Sequence, residues 1–410
     1  MPGWFGLKVW RKAMQVVGAS ACLGSLLTIS AGAASARVDR VANTDSPQTP
    51  ALAAQARSAV LMDASTGTVL FAKNEHERLP IASVTKIATL LLVFEALERG
   101  QVHLNDSVRT SDYAASMGGS QIFLEAGEKM SLSEMIKGIA VASANDAAVA
   151  VAEHIAGSES QFVRMMNDKA RALGLQDTHF SNPNGLPIAN HYSSAYDLAV
   201  LSRDLLRHEG ITTYTGLYSD YLRKNSEKPF WLVNTNKLIR FYSGMDGLKT
   251  GFTSESKYCL SASARRNHLR MIAVVLGEPT SKVRNAEVTQ MMDYAFSHYD
   301  AKLLYTKGQT VMQVPVLRGQ DQAVAVTTRQ TAYLLQNKVN KATIGHAVTE
   351  VRPLMAPVTR GQLAGTVRVV QDGKVLAQYP LYTVAAVDRV SLTEMLGRSL
   401  RQMFLQGAAR

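Results

Sequence analysis

One segment, PIASVTKIATLLLVFEALERG at residues 80–100, constrains the fold of this chain more than any other. Its apolar residues recur at steps of three and four, which predicts a buried helix over about 82–98. Lys86 nevertheless stands among them, and Ser83 precedes it by three positions, so that the two side chains share one helix face. A fold that buries this helix must therefore also bury an amine beside a hydroxyl.

This pair suggests a nucleophile with its own base. A lysine among apolar side chains loses hydration, which disfavours its charged form and allows it to accept a proton near neutral pH. Ser83 lies near the helix N-terminus, where backbone N–H groups favour negative charge. The alternative is a helix N-cap followed by a lysine whose stem extends to solvent. Ser254 and Lys257 repeat the spacing, so the motif alone is weak.

Two distant segments strengthen the catalytic interpretation. Ser143-Ala144-Asn145 falls in a break between two helical patterns, 60 residues after Ser83, and Lys249-Thr250-Gly251 opens a predicted strand 106 residues later. Ser-x-x-Lys, a Ser-x-Asn element and Lys-Thr-Gly, in this order, are typical of penicillin-binding proteins and class A β-lactamases. The order and the wide spacing together favour one shared catalytic cleft.

Each residue of the third segment has a chemical reason to be there. Lys249 is expected to be a fixed cation for a substrate carboxylate, to which Thr250 adds a hydroxyl. Gly251 is expected to let a peptide lie against the strand without a side chain in the way. Backbone N–H groups of Ser83 and of this strand are predicted to form an oxyanion hole.

The chain resembles the D-alanyl-D-alanine carboxypeptidases among the low-molecular-mass penicillin-binding proteins, the serine peptidases of the penicillin-binding protein 5 type. Further matching segments are MDASTGTVLFAKN, LSEMIKGIAVASANDAAVAVAEHIAGS, GLQDTHFSNPNGL and DGLKTGFT, so that the resemblance covers about residues 57–300. It implies an α/β fold, a serine β-lactamase/penicillin-binding-protein-like catalytic domain in which helices flank an antiparallel sheet. A small β-rich domain and a C-terminal amphipathic helix are expected to follow.

The resemblance also implies roles for the motif residues. Ser83 would be acylated by the penultimate D-alanine of a peptidoglycan pentapeptide, with Lys86 as base. Ser143 would relay a proton to the leaving amine, and Asn145 would hold Lys86 and the substrate amide. β-Lactams, which resemble the terminal dipeptide, would acylate Ser83 as well. Neither a metal nor a cofactor is expected.

The carboxylate site is where the chain departs from family members. Lys249 and Thr250 would bind the terminal carboxylate. Thr235 replaces an arginine that some members carry upstream of the lysine strand, which puts more weight on Lys249. Arg284 matches a family arginine and is a substrate-binding candidate, although an exposed charge before a helix would look the same. Phe252 stands where some members have histidine.

Other functions fit the sequence less well. A class A β-lactamase carries a Glu-x-x-Leu-Asn loop between the second and third motifs, and residues 160–215 contain none. The closest competitor is a D,D-endopeptidase that cuts peptidoglycan cross-links, although such relatives usually lack a β domain. A non-catalytic wall-binding protein would not need the complete set of motif residues.

The C-terminal part differs in charge and pattern. Residues 301–390 are strand-like and turn-punctuated, and residues 301–410 carry 14 Lys and Arg against 5 Asp and Glu. In an exported chain this favours lipid or cell wall over nucleic acid as the partner. Residues 391–410 predict an amphipathic helix that lies on a membrane surface or packs on its own domain. Its apolar face comprises Leu392, Met395, Leu396, Leu400, Met403 and Phe404.

The N-terminus reads as an export signal. Basic residues precede an apolar run from Met14 to Ile29, and small residues suit cleavage near Ala36, which defines residues 1–36 as a signal peptide. The run is a poor membrane anchor because Ser, Gly and Cys interrupt it, and Cys22 lacks the context of a lipoprotein site. Residues 37–56 read as a flexible lead-in. We therefore expect a peripheral protein on the periplasmic face of the bacterial cytoplasmic membrane.

Overall fold

The computed structural model describes residues 52–227, 229–391 and 393–397. The predicted signal peptide lies outside these residues, as does most of the predicted helix at 391–410. Within the described part of the chain, no helix is both long enough and apolar enough to cross a membrane.

The catalytic region is built on a sheet of five antiparallel strands in the order β2-β1-β9-β8-β7. Two short strand pairs, β3–β4 and β5–β6, lie outside this sheet. The described strands of this region are β1 (Ser58–Asp63), β2 (Val69–Lys73), β3 (Ser107–Arg109), β4 (Lys129–Ser131), β5 (Ser219–Leu222), β6 (Phe230–Val233), β7 (Met245–Thr253), β8 (Lys257–Arg266) and β9 (Leu269–Glu278).

Helices cover both faces of the sheet. They are α1 (Lys86–Glu98), α2 (Asp112–Ala115), α3 (Leu132–Lys137), α4 (Asn145–Ala156), α5 (Glu159–Ala172), α6 (Ala195–Leu205), α7 (Ile211–Thr215), α8 (Leu238–Phe241) and α9 (Ser281–His298). A 3-10 turn at Ala82–Thr85 precedes α1, and a π-helical turn at Gly138–Ala142 follows α3.

Strand β9 shows how the sheet sorts its side chains. Ile272, Val274 and Leu276 belong to the core beneath α1 and α6, whereas Met271 and Val275 belong to the core beneath α9. This sorting follows from the two-residue period of a strand, which points successive side chains to opposite faces. The almost continuous apolar sequence of β9 is therefore explained by burial on both sides.

The hairpins predicted from the sequence are confirmed. β1 and β2 pair across the turn at Ser65-Thr66-Gly67, and β8 and β9 pair across Arg266-Asn267. Gly67 has φ of +73°, a conformation that glycine adopts without steric cost. The order β8-β7 leaves β7 at the edge of the sheet, where one side of its backbone is free to pair with a peptide.

A second, β-rich region follows α9, as predicted. Its three-stranded sheet has the order β10-β13-β14 and its six-stranded sheet the order β15-β17-β18-β12-β11-β16. The predicted hairpin through Asp372-Gly373 is present. The strands are β10 (Tyr299–Tyr305), β11 (Thr310–Leu317), β12 (Ala323–Thr328), β13 (Ala332–Asn337), β14 (Thr343–Ile344), β15 (His346–Val351), β16 (Leu354–Met355), β17 (Leu363–Gln371) and β18 (Lys374–Thr383).

The end of the predicted lead-in is docked on the catalytic region. Ala53 and Ala56 are buried, and the Glu287 carboxylate accepts hydrogen bonds from the backbone N–H groups of Gln55 at 2.8 Å and Ala56 at 3.2 Å. Lys73 Nζ donates to the carbonyl of Ala53 at 2.9 Å. The flexible lead-in predicted for residues 37–56 therefore does not extend through 52–56.

Candidate active site

Ser83 and Lys86 lie at the junction between the 3-10 turn and α1. The sequence predicted one helix from residue 82, whereas the structure places Ser83 in the 3-10 turn and begins α1 at Lys86. Lys86 Nζ lies 3.0 Å from Ser83 Oγ, so the amine and the hydroxyl are in direct hydrogen-bond contact.

The Lys86 amine is fully buried. Its Nζ donates to Asn145 Oδ1 at 2.6 Å and to the carbonyl of Asn184 at 2.5 Å. Burial, together with the nearby Lys249 ammonium, holds the pKa of Lys86 well below its usual value, against the opposing attraction of Asp146. A neutral amine has two N–H donors and one lone pair. In this neutral form the two oxygens would accept from the donors, and the lone pair would be left for the Ser83 hydroxyl.

Ser143 occupies the predicted break between two helices. It follows the π-helical turn and has φ of +64° and ψ of 31°, a left-handed conformation that costs a non-glycine residue free energy. Such turns and strained residues concentrate at functional sites. The side chain is almost completely buried and lines the same cleft as Ser83.

Asn145 begins α4 and ties the Lys86 amine to a neighbouring loop. Its Oδ1 accepts from Lys86, and its Nδ2 donates to the carbonyl of Gly118 at 2.7 Å. The Nδ2 group has a second N–H donor, so the contact with a substrate amide that the resemblance implies for Asn145 stays a prediction. Asn145 positions the amine.

Asp146 was not predicted as a site residue. Its buried carboxylate accepts hydrogen bonds from the backbone N–H groups of Ile122 and Leu124, both at 3.1 Å. It thereby fixes the loop that carries Gly118 and Ser120 beside the cleft. The signal was present in the sequence, because an acidic residue in the first turn of a helix is a common anchor for backbone N–H groups.

The turn at Asn182–Gly185 forms the other wall around Lys86. Gly185 has φ of +81°, and a Cβ atom built there would lie 2.0 Å from the carbonyl oxygen of Ala82. No other residue fits this approach without moving the backbone. The sequence predicted turns in this segment but gave no sign that the carbonyl of Asn184 contacts the catalytic amine.

Lys249 is buried behind the cleft, and its contact with a substrate carboxylate stays a prediction. It is 1% exposed, and its Nζ donates to the carbonyl of Thr250 at 3.0 Å. Burial and the neighbouring Arg284 guanidinium lower the pKa of Lys249 to about 7. Thr250 faces the cleft instead, and its Oγ1 donates to Thr235 Oγ1 at 2.7 Å.

Gly251 has a different steric role from the one expected. A Cβ atom at this position would lie 2.5 Å from the carbonyl oxygen of Ile81 and 3.0 Å from a methyl group of Val84. The missing side chain thus lets β7 pack directly on the turn that carries Ser83. The sequence had assigned the space to the substrate peptide.

The cleft between these elements has a volume of about 490 Å³. Arg284 lines it and is 5% exposed, so the alternative of an exposed charge before a helix is wrong. Its Nε and Nη2 atoms both donate to Asn285 Oδ1, at 3.1 and 2.9 Å. The structure thus brings the predicted residues to one cleft and its immediate wall. Those on the cleft surface are Ser83, Ser143, Thr250, Gly251 and Arg284; Lys86, Asn145 and Lys249 are buried behind it.

Lys237 is a cleft residue that sequence reasoning missed. It lines the cleft two positions after Thr235 and is exposed, and within the described chain no carboxylate lies within ion-pair distance of it. Its Nζ lies 5.7 Å from the centroid of the Tyr218 ring. Asn236, whose amide donates to the carbonyl of Gly247 at 3.1 Å, anchors the turn that presents it. Lys237 therefore offers the cleft an accessible cation.

The comparisons with known proteins agree with this arrangement. The family model described as D-alanyl-D-alanine carboxypeptidase, peptidase family S11, matches residues 43–280, and the model of the penicillin-binding protein 5 C-terminal domain matches residues 299–389. The chain belongs to the D-alanyl-D-alanine carboxypeptidase family S11. It is accordingly a serine-type D-Ala-D-Ala carboxypeptidase of the penicillin-binding protein 5 type.

Individual relatives support the assignment over most of the chain. The chain is 49% identical over 366 residues to the D-alanyl-D-alanine carboxypeptidase DacF of Bacillus subtilis, covering 88% of this chain and 92% of the relative. It is 32% identical to DacA of Escherichia coli K12, covering 81% and 83%. Penicillin-binding protein 5 from Haemophilus influenzae superposes with a TM-score of 0.63 at 31% identity, covering 82% of this chain and 98% of that chain.

Proposed function

We propose that Ser83 is the acylated nucleophile of this carboxypeptidase and that Lys86 is its general base. The contact between Lys86 Nζ and Ser83 Oγ, with both N–H donors of the amine directed to other oxygens, carries the proposal. An amine whose pKa is lowered by burial is suited to accept a hydroxyl proton near neutral pH.

Acylation follows from this geometry. Ser83 Oγ attacks the carbonyl carbon of the penultimate D-alanine while its proton passes to Lys86. Backbone N–H groups of Ser83 and of the β7 edge receive the developing oxyanion. Collapse of the tetrahedral species breaks the peptide C–N bond. The terminal D-alanine leaves with a proton that passes from Lys86 through the Ser143 hydroxyl.

Deacylation reverses the proton path. Water attacks the Ser83 ester and gives its proton to Lys86, which returns it to Ser83 as the acid product leaves. A β-lactam enters the same path, but its leaving amine remains tethered to the acyl group. The covalent adduct therefore persists if the tethered group blocks water.

Recognition of the terminal carboxylate is assigned to the basic wall of the cleft. Thr250 and Thr235 supply hydroxyl groups, and Lys237 and Arg284 supply positive charge at the surface. Lys249 supports this wall from behind, where an incoming carboxylate would favour its charged form. The described charged residues on the cleft surface are all basic, which fits a substrate that ends in a carboxylate.

Release of D-alanine and penicillin labelling test the roles together. Wild-type protein should release free D-alanine from a pentapeptide that ends in D-Ala-D-Ala and should form one adduct located at Ser83 by peptide mapping. Ser83→Ala should do neither, while Ser254→Ala should retain both activities because Ser254 lies outside the cleft lining. An adduct on Ser83→Ala would remove Ser83 from the mechanism. Cleavage of cross-linked dimers without release from the pentapeptide would favour the endopeptidase.

We further propose that residues 391–410 hold the enzyme on the outer surface of the cytoplasmic membrane after export. Two observations support it: the net positive charge of residues 301–410 and the 60% exposure of Leu396 in the short helical part that is described. An exposed apolar side chain in a basic segment fits the interface of an anionic bilayer.

Vesicle sedimentation tests this attachment. The mature chain should sediment with vesicles that contain anionic lipid, and a chain that ends at residue 390 should remain in the supernatant with full activity on soluble peptides. Leu396→Glu should weaken sedimentation, and it changes the net charge of residues 391–410 by only one unit. Equal sedimentation of the full and truncated chains would contradict the proposal.

A further inference from the structure

A second cavity, with a volume of about 290 Å³, lies next to the catalytic cleft. We call it the side cavity. Its lining includes Ala82, the residue before Ser83, and Thr253, the second residue after Gly251. Residues adjacent in sequence, Ala82 with Ser83 and Thr253 with Phe252, therefore line the two cavities.

The direction of a bound peptide leads it to this cavity. Its terminal carboxylate lies on the Thr250 side of the cleft and its scissile carbonyl lies at Ser83, as the proposed function requires. β7 runs from Thr250 through Phe252 to Thr253, so a peptide paired with this edge strand continues from Ser83 toward the side cavity. The residue before the two D-alanines, the third of the pentapeptide, is the next to arrive.

The walls of the side cavity suit an aliphatic chain. The lining includes the apolar residues Pro80, Leu186, Pro187 and Ile188, and Ile188 is 54% exposed. These residues belong to two segments that the site already fixes: the strand-to-turn connection before Ser83 and the turn whose Gly185 packs on Ala82. The apolar walls are thus held in place by the catalytic structure itself.

The charge of the side cavity comes from Glu255. This exposed carboxylate lines the cavity, and no ion pair or hydrogen bond involves its side chain among the described residues. Arg78, the other charged lining residue, is already paired: its Nε donates to Asp177 Oδ1 at 3.1 Å, and its guanidinium lies 5.3 Å from the centroid of the Tyr192 ring. Glu255 therefore leaves an uncompensated negative charge at the end of an apolar wall.

We propose that the side cavity binds the third residue of the peptidoglycan stem and that Glu255 selects a side chain ending in an ammonium group. A long aliphatic stem would lie along the apolar walls and present its amine to the carboxylate. Both a lysine and a diaminopimelate side chain have this chemistry. The inference rests on the proposed function, because it uses the direction of the peptide bound at Ser83.

A comparison of two peptide substrates tests the proposed selectivity of the side cavity. Two peptides ending in D-Ala-D-Ala should be compared, with lysine or its uncharged isostere norleucine as the residue before the D-alanines. Wild-type kcat/KM should be about two- to fivefold higher for the lysine peptide at low salt, the range of an exposed ion pair. Glu255→Gln should abolish this preference by lowering kcat/KM for the lysine peptide alone, and Glu255→Lys should reverse it.

Glu125→Gln is the matched control. Glu125 is exposed on the loop beside α3 and lies outside both cavities, so the variant removes the same charge without changing the preference. A diaminopimelate peptide then distinguishes the two natural side chains. No preference in the wild type, or equal loss for both peptides in Glu255→Gln, would overturn the inference. Hydrolysis of the norleucine peptide shows separately that the proposed catalytic function holds.

Discussion

The catalytic region, residues 52–298, and the β-rich region, residues 299–391, bury different chemistry. The catalytic region buries charged side chains, among them Lys86, Asp146 and Lys249. In the described part of the β-rich region, the buried polar side chains are Thr328 and Thr383, each of which donates to a nearby backbone carbonyl. Burying charge costs free energy unless a network compensates it, so the contrast separates a region built for chemistry from one built for packing.

Three cations at the active site, Lys86, Lys249 and Arg284, all have a lowered pKa, and burial is the largest cause for each. Lys249 helps to lower the pKa of Lys86, and Arg284 helps to lower the pKa of Lys249. Like charges placed near one another disfavour the protonated form of the most deeply buried group. Burial first, and then this series of basic side chains, disfavours the ammonium form of Lys86 and suits it to act as a base.

Loss of the Lys86 amine should have the largest effect on activity. Lys86→Ala should slow acylation by penicillin by about 10³-fold or more, because it removes the group that accepts the Ser83 proton. Stopped-flow or timed mass spectrometry of the adduct measures the rate. Lys282→Met, which removes an exposed lysine outside the cleft lining, is the control and should label normally. A folded Lys86→Ala protein that labels at the wild-type rate would contradict the assignment.

Loss of the exposed cation at Lys237 should have a smaller and more selective effect. Lys237→Met should slow acylation by benzylpenicillin roughly fivefold and leave acylation by its methyl ester unchanged, because only the free acid carries the negative charge. Lys237→Arg should restore the wild-type ratio between the acylation rates of benzylpenicillin and its methyl ester. Equal slowing of both compounds would mean that Lys237 acts through packing on Tyr218 and not through its charge.

Glu278 should affect the pH dependence of stability more than catalysis. Burial, and after it the neighbouring Glu287 carboxylate, raise the pKa of Glu278 from the ordinary 4.5 to about 8. Between these two pH values the unfolded chain has lost a proton that the folded protein keeps. The contribution of Glu278 to the free energy of unfolding therefore falls as pH rises through this window. Denaturant unfolding at several pH values should show a smaller fall for Glu278→Gln than for the wild type.

The exposed Glu125→Gln variant is the control for this titration and should follow the wild-type curve. Parallel curves for wild type and Glu278→Gln would show that Glu278 titrates at the same pH in both the folded and the unfolded chain.

A core substitution in the β-rich region should leave catalysis untouched. Val367 is completely buried in the core of the six-stranded sheet, so Val367→Ala should lower the stability of that region by about 2 kcal/mol. Penicillin acylation should remain at the wild-type rate. Val339→Ala, at an 81% exposed position, is the matched control and should change neither property. A slower acylation rate in Val367→Ala would show that the two regions are coupled.

From the sequence we could predict the structural features that local residue patterns determine. The hairpins, the helix after Ser83 and the break at Ser143 follow from periodicity and turn chemistry, and the resemblance supplied the fold. The sequence could not reveal contacts between distant segments that only the tertiary fold brings together. The carbonyl of Asn184 on Lys86, the burial of Lys249 and the packing of Gly251 on Ile81 depend on segments far apart in the chain.

Lys237 illustrates the same limit at the cleft surface. Because Lys249 is buried, the proposed role of an accessible cation in the cleft goes to Lys237, two residues after Thr235. A sequence pattern names residue types and spacing. It does not give the exposed fraction of each side chain, which here distinguishes the exposed Lys237 from the buried Lys249.

The protonation state of Lys86 is the central claim, and a titration of its side chain tests it most directly. Protein labelled with ¹³C at lysine Cε should be titrated by NMR in the wild type and in Lys86→Met, so that the missing resonance identifies Lys86. We expect this resonance to titrate well below the ordinary 10.5 of lysine, because burial and Lys249 disfavour the ammonium. Titration of the Lys86 resonance at the ordinary lysine value would contradict the account.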